Sequence, residues 1–193
     1  MKQRLLLFAL AVLWATASQA SPITYVTSLS GAIEVPPNAS PGTGFAVVII
    51  DTIAHTLEVD ETFSGLVGTT TASHIHCCTA APGTGTAGVA TQTPFFVGFP
   101  IGVTSGTYSH VFDTSLAATW NAPFITASGG TPLSAEAAMA AGLASDLAYL
   151  NVHSTFAPGG EIRGFLIPTP EPATLLLLGT GLVGAGVRRY RRR

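Results

Sequence analysis

Gly44-Phe45-Ala46-Val47-Val48-Ile49-Ile50 decides the fold class, because a short β-branched, apolar run suits a buried strand. The chain turns after it, and from His55 to Phe63 the character changes. Leu57, Val59 and Phe63 alternate with Thr56, Glu58, Asp60 and Thr62. That period of two marks a strand with one face buried and one wet. Ser105–Asp113 and Leu147–His153 read as further strands, and Glu161–Ile167 as the last. Clusters of Gly, Pro, Ser and Thr separate these runs, at Pro36–Gly44, Pro82–Gly88 and Ala127–Pro132. One segment breaks the pattern. Ser134–Ser145 (SAEAAMAAGLAS) is rich in alanine and predicts one short helix with Ser134 as its N-cap. Short strands with turn-rich spacers predict a mainly β domain, an antiparallel Greek-key β-sandwich.

The chain has 193 residues, enough for one such domain plus processing segments at its ends. Charge locates those segments. Seven of the eight basic residues lie in the first four or last six positions, and Arg163 is the eighth. From Ser21 to Val187 the chain carries one Arg, no Lys and all ten carboxylates, a formal charge of −9. Such a domain has no electrostatic footprint for nucleic acid and is repelled by anionic lipid.

Residues 1–20 have three parts. Lys2 and Arg4 are followed by an apolar run, Leu5–Trp14, and then by Ala17-Ser18-Gln19-Ala20. Small residues at both recognition positions predict a signal peptide that signal peptidase cuts after Ala20. The other end, 169–193, carries Pro170-Glu171-Pro172, an apolar run from 173 to 187 and a basic tail from 188 to 193. Fifteen helical residues cover about 22 Å, against about 30 Å of bilayer core. Snorkelling arginines and local thinning could close that difference, and their charge keeps the tail cytoplasmic. A transmembrane helix tethering the exported domain to the inner membrane is therefore expected. These three parts, in this order, resemble the PEP-CTERM sorting signal of Gram-negative bacteria. The resemblance implies recognition by an exosortase, removal of the tail, and transfer to the cell surface or extracellular matrix. Within the tail, Gly179–Gly184 fits the dinucleotide-binding G-x-G-x-x-G, but the chain ends before the motif's acidic residue, so that reading is rejected.

Between the ends, residues 21–168, three histidines stand out. His74-Ile75-His76 lies at the end of a strand, so both imidazoles project from one face. His153 ends another strand, with Asn151 on its face. Three imidazoles around one point suit copper or zinc; alternatively they donate hydrogen bonds to loop carbonyls. His55 and His110 read as exposed strand residues. Cys77 and Cys78 are adjacent, in a compartment that permits disulfides. They are open to three readings: a strained ring, free thiols, or a soft ligand. In Gly159-Gly160-Glu161-Ile162-Arg163-Gly164, Glu161 and Arg163 share a strand face and are expected as a structural ion pair. Arg163 fastens the final strand through such a pair, for which another Asp or Glu such as Glu34 is also a candidate partner; an anion-binding arginine is the alternative. No G-x-S-x-G elbow is present, so hydrolysis has no nucleophile and the domain is read as non-enzymatic.

Taken together, Leu29-Ser30-Gly31, Glu34-Val35-Pro36-Pro37, Gly42-Thr43-Gly44, Ser64-Gly65-Leu66, His74-Ile75-His76, Tyr149–Ser154 and Pro158–Gly164 resemble the CHRD domain, named for chordin, over Thr27–Ile167. The family usually has Thr after the last His; Ser154 keeps the hydroxyl. The resemblance implies an extracellular β-sandwich, immunoglobulin-like or Cu/Zn superoxide dismutase-like, with no catalytic role. For an exported module, partners outside the cell, such as polysaccharide or surface proteins, are expected. The histidine pattern is similar to the copper side of Cu/Zn superoxide dismutase, whose second metal site has no counterpart here, and fold-level likeness does not carry function.

Overall fold

The computed structural model describes residues 22–169. The expected signal peptide with its cut at Ala20, the sorting motif Pro170-Glu171-Pro172, the transmembrane run 173–187 and the basic tail 188–193 lie outside the described residues. Among the described residues no helix is long and apolar enough to cross a membrane.

The chain runs β1 (Ile23–Ser30), β2 (Thr43–Asp51), β3 (Thr56–Ser64), β4 (Thr70–His76), β5 (Gly106–Asp113), α1 (Ala122–Ala127), α2 (Pro132–Ala144), β6 (Tyr149–Ser154), β7 (Ile162–Phe165) and β8 (Ile167–Pro168). The deciding run lies within β2. Ala46, Val48 and Ile50 are buried, while Phe45 on the alternate face is exposed. β2 therefore buries one face, as β3 does, and the two pair in register from Thr43↔Ser64 to Asp51↔Thr56. Their turn is shaped by Asp51, whose Oδ1 accepts from the Ile53 and Ala54 amides at 2.8 Å. His55 sits in that turn with φ 55°, and is not a strand residue as expected.

The strands form one antiparallel sheet in the order β4-β6-β7-β1-β2-β3-β5, with β8 also on β1. The expected sandwich of two separate sheets is thus replaced by a single curled sheet, a half-barrel. β1 makes the difference. The sequence reading missed it, yet it pairs with β2 along its length and meets β7 at Ser30↔Arg163. The curl brings the two ends of the sheet together. Ser73 on β4 donates to Glu61 on β3 at 2.8 Å. The residues before β5 bond the start of β4, through Thr70 N to Val103 O at 2.8 Å and Gly102 N to Thr70 O at 2.9 Å. One core results, with Ile75 and Leu150 from one flank and Val59 and Phe112 from the other.

Two helices cross between β5 and β6 where one was expected. α2 begins earlier than predicted. Its N-cap is Thr131, which exchanges reciprocal bonds with Ser134, and Pro132 opens the helix. Met139 and Leu143 carry α2 into the core.

Glu61 is buried inside the curl, and burial pushes its carboxyl up to about 8 against a smaller opposing pull from the Ser73 bond. The unfolded chain releases this proton at about 4.3, whereas the folded chain holds it to a higher pH. Glu61 thus contributes stability below the carboxylate range, lost as pH rises toward about 8 at up to about 1.4 kcal/mol per unit. Urea titrations between pH 5 and 8 should show a flatter pH profile for Glu61→Gln than for the parent. Equal slopes would remove Glu61 as the cause.

Candidate metal centre

Antiparallel pairing of β4 with β6 sets Ala72 opposite His153, His74 opposite Asn151 and His76 opposite Tyr149. β7 adds Arg163 beside Asn151 and Phe165 beside Tyr149. Alternation sends Ile75, Leu150 and Val152 into the core and sets the three histidines on the other face of the sheet. That face would be open to water but for the long segment between β4 and β5. This segment pairs with β4 at His76↔Val89 and supplies the carbonyls of Ala87 and Pro94. As a result His74 and His76 are buried and His153 is half-buried.

The geometry joins the three residues that the sequence singled out. One ring nitrogen of each lies within 4.8 Å of one of each other. One nitrogen of each ring is committed to a carbonyl. His74 Nε2 donates to Pro94 O at 2.8 Å, His76 Nδ1 to Ala87 O at 2.9 Å and His153 Nδ1 to Pro158 O at 2.9 Å. A carbonyl can only accept, so these contacts fix the tautomers. They leave His74 Nδ1, His76 Nε2 and His153 Nε2 as bare lone pairs, all three buried and without a partner. Both sequence alternatives therefore describe the same histidines: each donates to a loop carbonyl, and each keeps a nitrogen free. Carbonyl-anchored imidazoles gathered with one free lone pair each are the arrangement metal-binding histidines adopt. Burial, and then the neighbouring His153, push His74 down to about 4 against its bond to Pro94. Burial also brings His76 to about 4 against its Ala87 bond, helped by His153, His74 and Arg163. His153 is lowered by burial and partly restored by Pro158. All three are neutral at pH 7, the state in which imidazole is a ligand.

Arg163 stands next to this cluster. Its guanidinium lies 4.7 Å over the Tyr149 ring, and Tyr149 stacks on His76 at 4.8 Å with a 6° tilt. Arg163 Nε donates to Ile33 O at 2.7 Å, and Nη1 to Gly85 O at 3.1 Å. Its carboxylate neighbour is Glu34, at 3.7 Å. Burial raises Glu34 to about 7, against the pull of Arg163 and of the Val35 amide. Glu161 does not pair with Arg163, although the two share a run. Its fully buried carboxylate accepts from Ser40 Oγ at 2.6 Å, Val67 N at 2.5 Å and Gly68 N at 3.2 Å, and from Ser154 Oγ. The sequence signal for that clamp was weak, because its donors come from three separate loops and strands. The Tyr149 stack was also missed; Tyr149 falls two residues before Asn151 in β6 and so shares its face.

Cys77 and Cys78 form a disulfide with each other, so neither is a thiol ligand. Both sulfurs pack against Gly142 on α2, where a Cβ would overlap them. His55, expected as an exposed strand residue, contacts buried Glu136 on α2 through Nδ1 at 2.8 Å.

These features define a class: a mainly β, antiparallel half-barrel module with a buried three-histidine cluster suited to binding. A family model for the CHRD domain matches residues 25–166, and the chain belongs to that family. A second model, for the PEP-CTERM protein-sorting motif, matches residues 168–193. No curated protein and no solved structure matches the chain. CHRD domains are structural or binding modules and not catalysts, and the sorting motif marks this one for export and attachment at the cell surface.

Proposed function

We propose that the domain of residues 21–168 is a non-enzymatic metal-binding module displayed outside the cell, holding one copper or zinc ion through His74, His76 and His153. One observation carries this reading: three histidines lie within metal-ligating reach of one another, and each has one buried ring nitrogen without a partner while its other nitrogen is tied to a carbonyl. Orphaned buried acceptors cost about 1–3 kcal/mol each, and a cation among them offsets that cost. Metal analysis of the mature protein after reconstitution should find about one equivalent. His74→Ala, His76→Ala and His153→Ala should each bring it below about a tenth. An unchanged metal content in all three variants would end the assignment.

In the same proposal, signal peptidase cuts after Ala20 and an exosortase acts at Pro170-Glu171-Pro172. The apolar run 173–187 holds the precursor in the inner membrane until then, with residues 188–193 on the cytoplasmic side. The sorting-motif match supports this route. Intact mass of the surface-released protein reports both cuts, and a mass retaining the basic tail would defeat the second.

A further inference from the structure

We propose that the three-histidine centre selects monovalent copper over the dications zinc(II) and copper(II). The inference rests on the metal-binding reading above and adds the charge and coordination number of the ion. Three features of the site favour a single positive charge.

The first is the donor set. The candidate ligand group holds three histidines and no carboxylate or thiolate, and the adjacent sulfurs are tied up in the Cys77–Cys78 disulfide. Neutral imidazoles cancel none of the ion's charge. The second is burial. His74 and His76 are 6% and 7% exposed, with Phe96 and Tyr149 as aromatic neighbours at 6.3 and 4.8 Å between ring centres. The cost of charging a buried site grows with the square of the charge, so a dication pays about four times what a monocation pays. Arg163 adds to that difference. Its cation sits 4.7 Å above Tyr149, which stacks on His76, so a fixed positive charge lies one ring beyond the ligand. Glu34 offsets part of it at 3.7 Å from Nε, while Asn151, facing His74 in the register, is neutral.

The third is coordination number. Zinc requires four ligands. Here three histidines offer one nitrogen each, and the unpartnered nitrogen of each ring is shielded from solvent. Copper(I) has a filled d shell and is satisfied by three donors. Imidazole suits copper, and only its reduced form avoids the penalties of a dication.

Parallel competition titrations of the mature protein test this, using a chromophoric copper(I) chelator in anaerobic ascorbate and matched chelators for zinc(II) and copper(II). Ascorbate reduces copper and leaves the disulfide closed. The expected result is one copper(I) per chain, bound at least about 100-fold more tightly than either dication. Arg163→Gln should narrow the copper(I)-to-copper(II) ratio about tenfold, and Arg163→Lys should preserve it. If Arg163→Gln does not fold, the ratios of the parent protein decide alone. Binding of zinc(II) or copper(II) as tight as that of copper(I) overturns the inference and leaves the metal site standing. Absence of any binding overturns the metal-binding reading itself.

Discussion

Glu161→Ala lowers the stability of the domain by about 3–5 kcal/mol in urea titrations at pH 7. The carboxylate is fully buried and takes four hydrogen bonds, from the Ser40 and Ser154 hydroxyls and the Val67 and Gly68 amides. Those donors come from the approach to β2, the β3–β4 loop and the end of β6, so one side chain joins three parts of the sheet. Alanine leaves two amides and two hydroxyls without their acceptor and opens a cavity between them. Burial raises the Glu161 pKa, but the four bonds together outweigh burial and hold it below the usual carboxylate range. The sign is therefore opposite to that of Glu61. The stability due to Glu161 is present above the ordinary carboxylate pKa and is lost as pH falls through its lowered value. Glu161→Gln keeps the shape but offers one acceptor oxygen, and should fall between the parent and Glu161→Ala. A loss under about 1 kcal/mol for the alanine variant would mean that the donors find water or other partners.

Gly164→Ala is expected to destabilise by about 3 kcal/mol or more, at the upper end for a small-to-large change. A Cβ at this position overlaps Thr27 Oγ1 and the Ser28 carbonyl oxygen, and comes within 3.1 Å of the Ser28 carbonyl carbon. Two of these three contacts are β1 backbone. β1 cannot withdraw, because it pairs with β2 from Ile23↔Ile50 to Ser30↔Thr43. Gly159→Ala is the control from the same run. Nothing lies within 4 Å of the position its Cβ would take, so its effect should stay within about 0.5 kcal/mol. Thermal or urea unfolding of the two variants side by side separates steric conflict from the general cost of replacing glycine. Similar losses in both would exclude the close approach of β7 to β1 as the cause. The comparison matters for the site, since Gly164 follows Arg163, and both residues depend on where β7 meets β1.

Much of this was legible in the chain because it follows from local rules. A β-branched apolar run placed β2 and period-two alternation placed β3, and the same parity put His74 and His76 on one face. The scarcity of cations drew attention to Arg163 and to Glu34 as its neighbour. β1 was not legible. Its mixed run Ile-Thr-Tyr-Val-Thr-Ser-Leu-Ser lacks a strong apolar signal, and its pairing with β2 and β7 decides that one curled sheet forms in place of two. The helix was visible from its alanines, but its start was set by the Thr131–Ser134 exchange and not by Ser134 alone.

The sequence by itself determined the elements with a strong period, the acidic domain between basic ends, the family motifs and the three histidines. Only the tertiary structure decided what those residues do to one another. It separated Glu161 from Arg163, bridged Cys77 to Cys78, and gathered the three histidines while leaving one nitrogen of each without a partner. The physical reason is range. Alternation and charge are properties of neighbours along the chain. A lone pair's direction depends on carbonyls: those of Pro94 and Ala87 reach His74 and His76 only when the long loop folds onto the sheet, and that of Pro158 reaches His153 from the turn after β6.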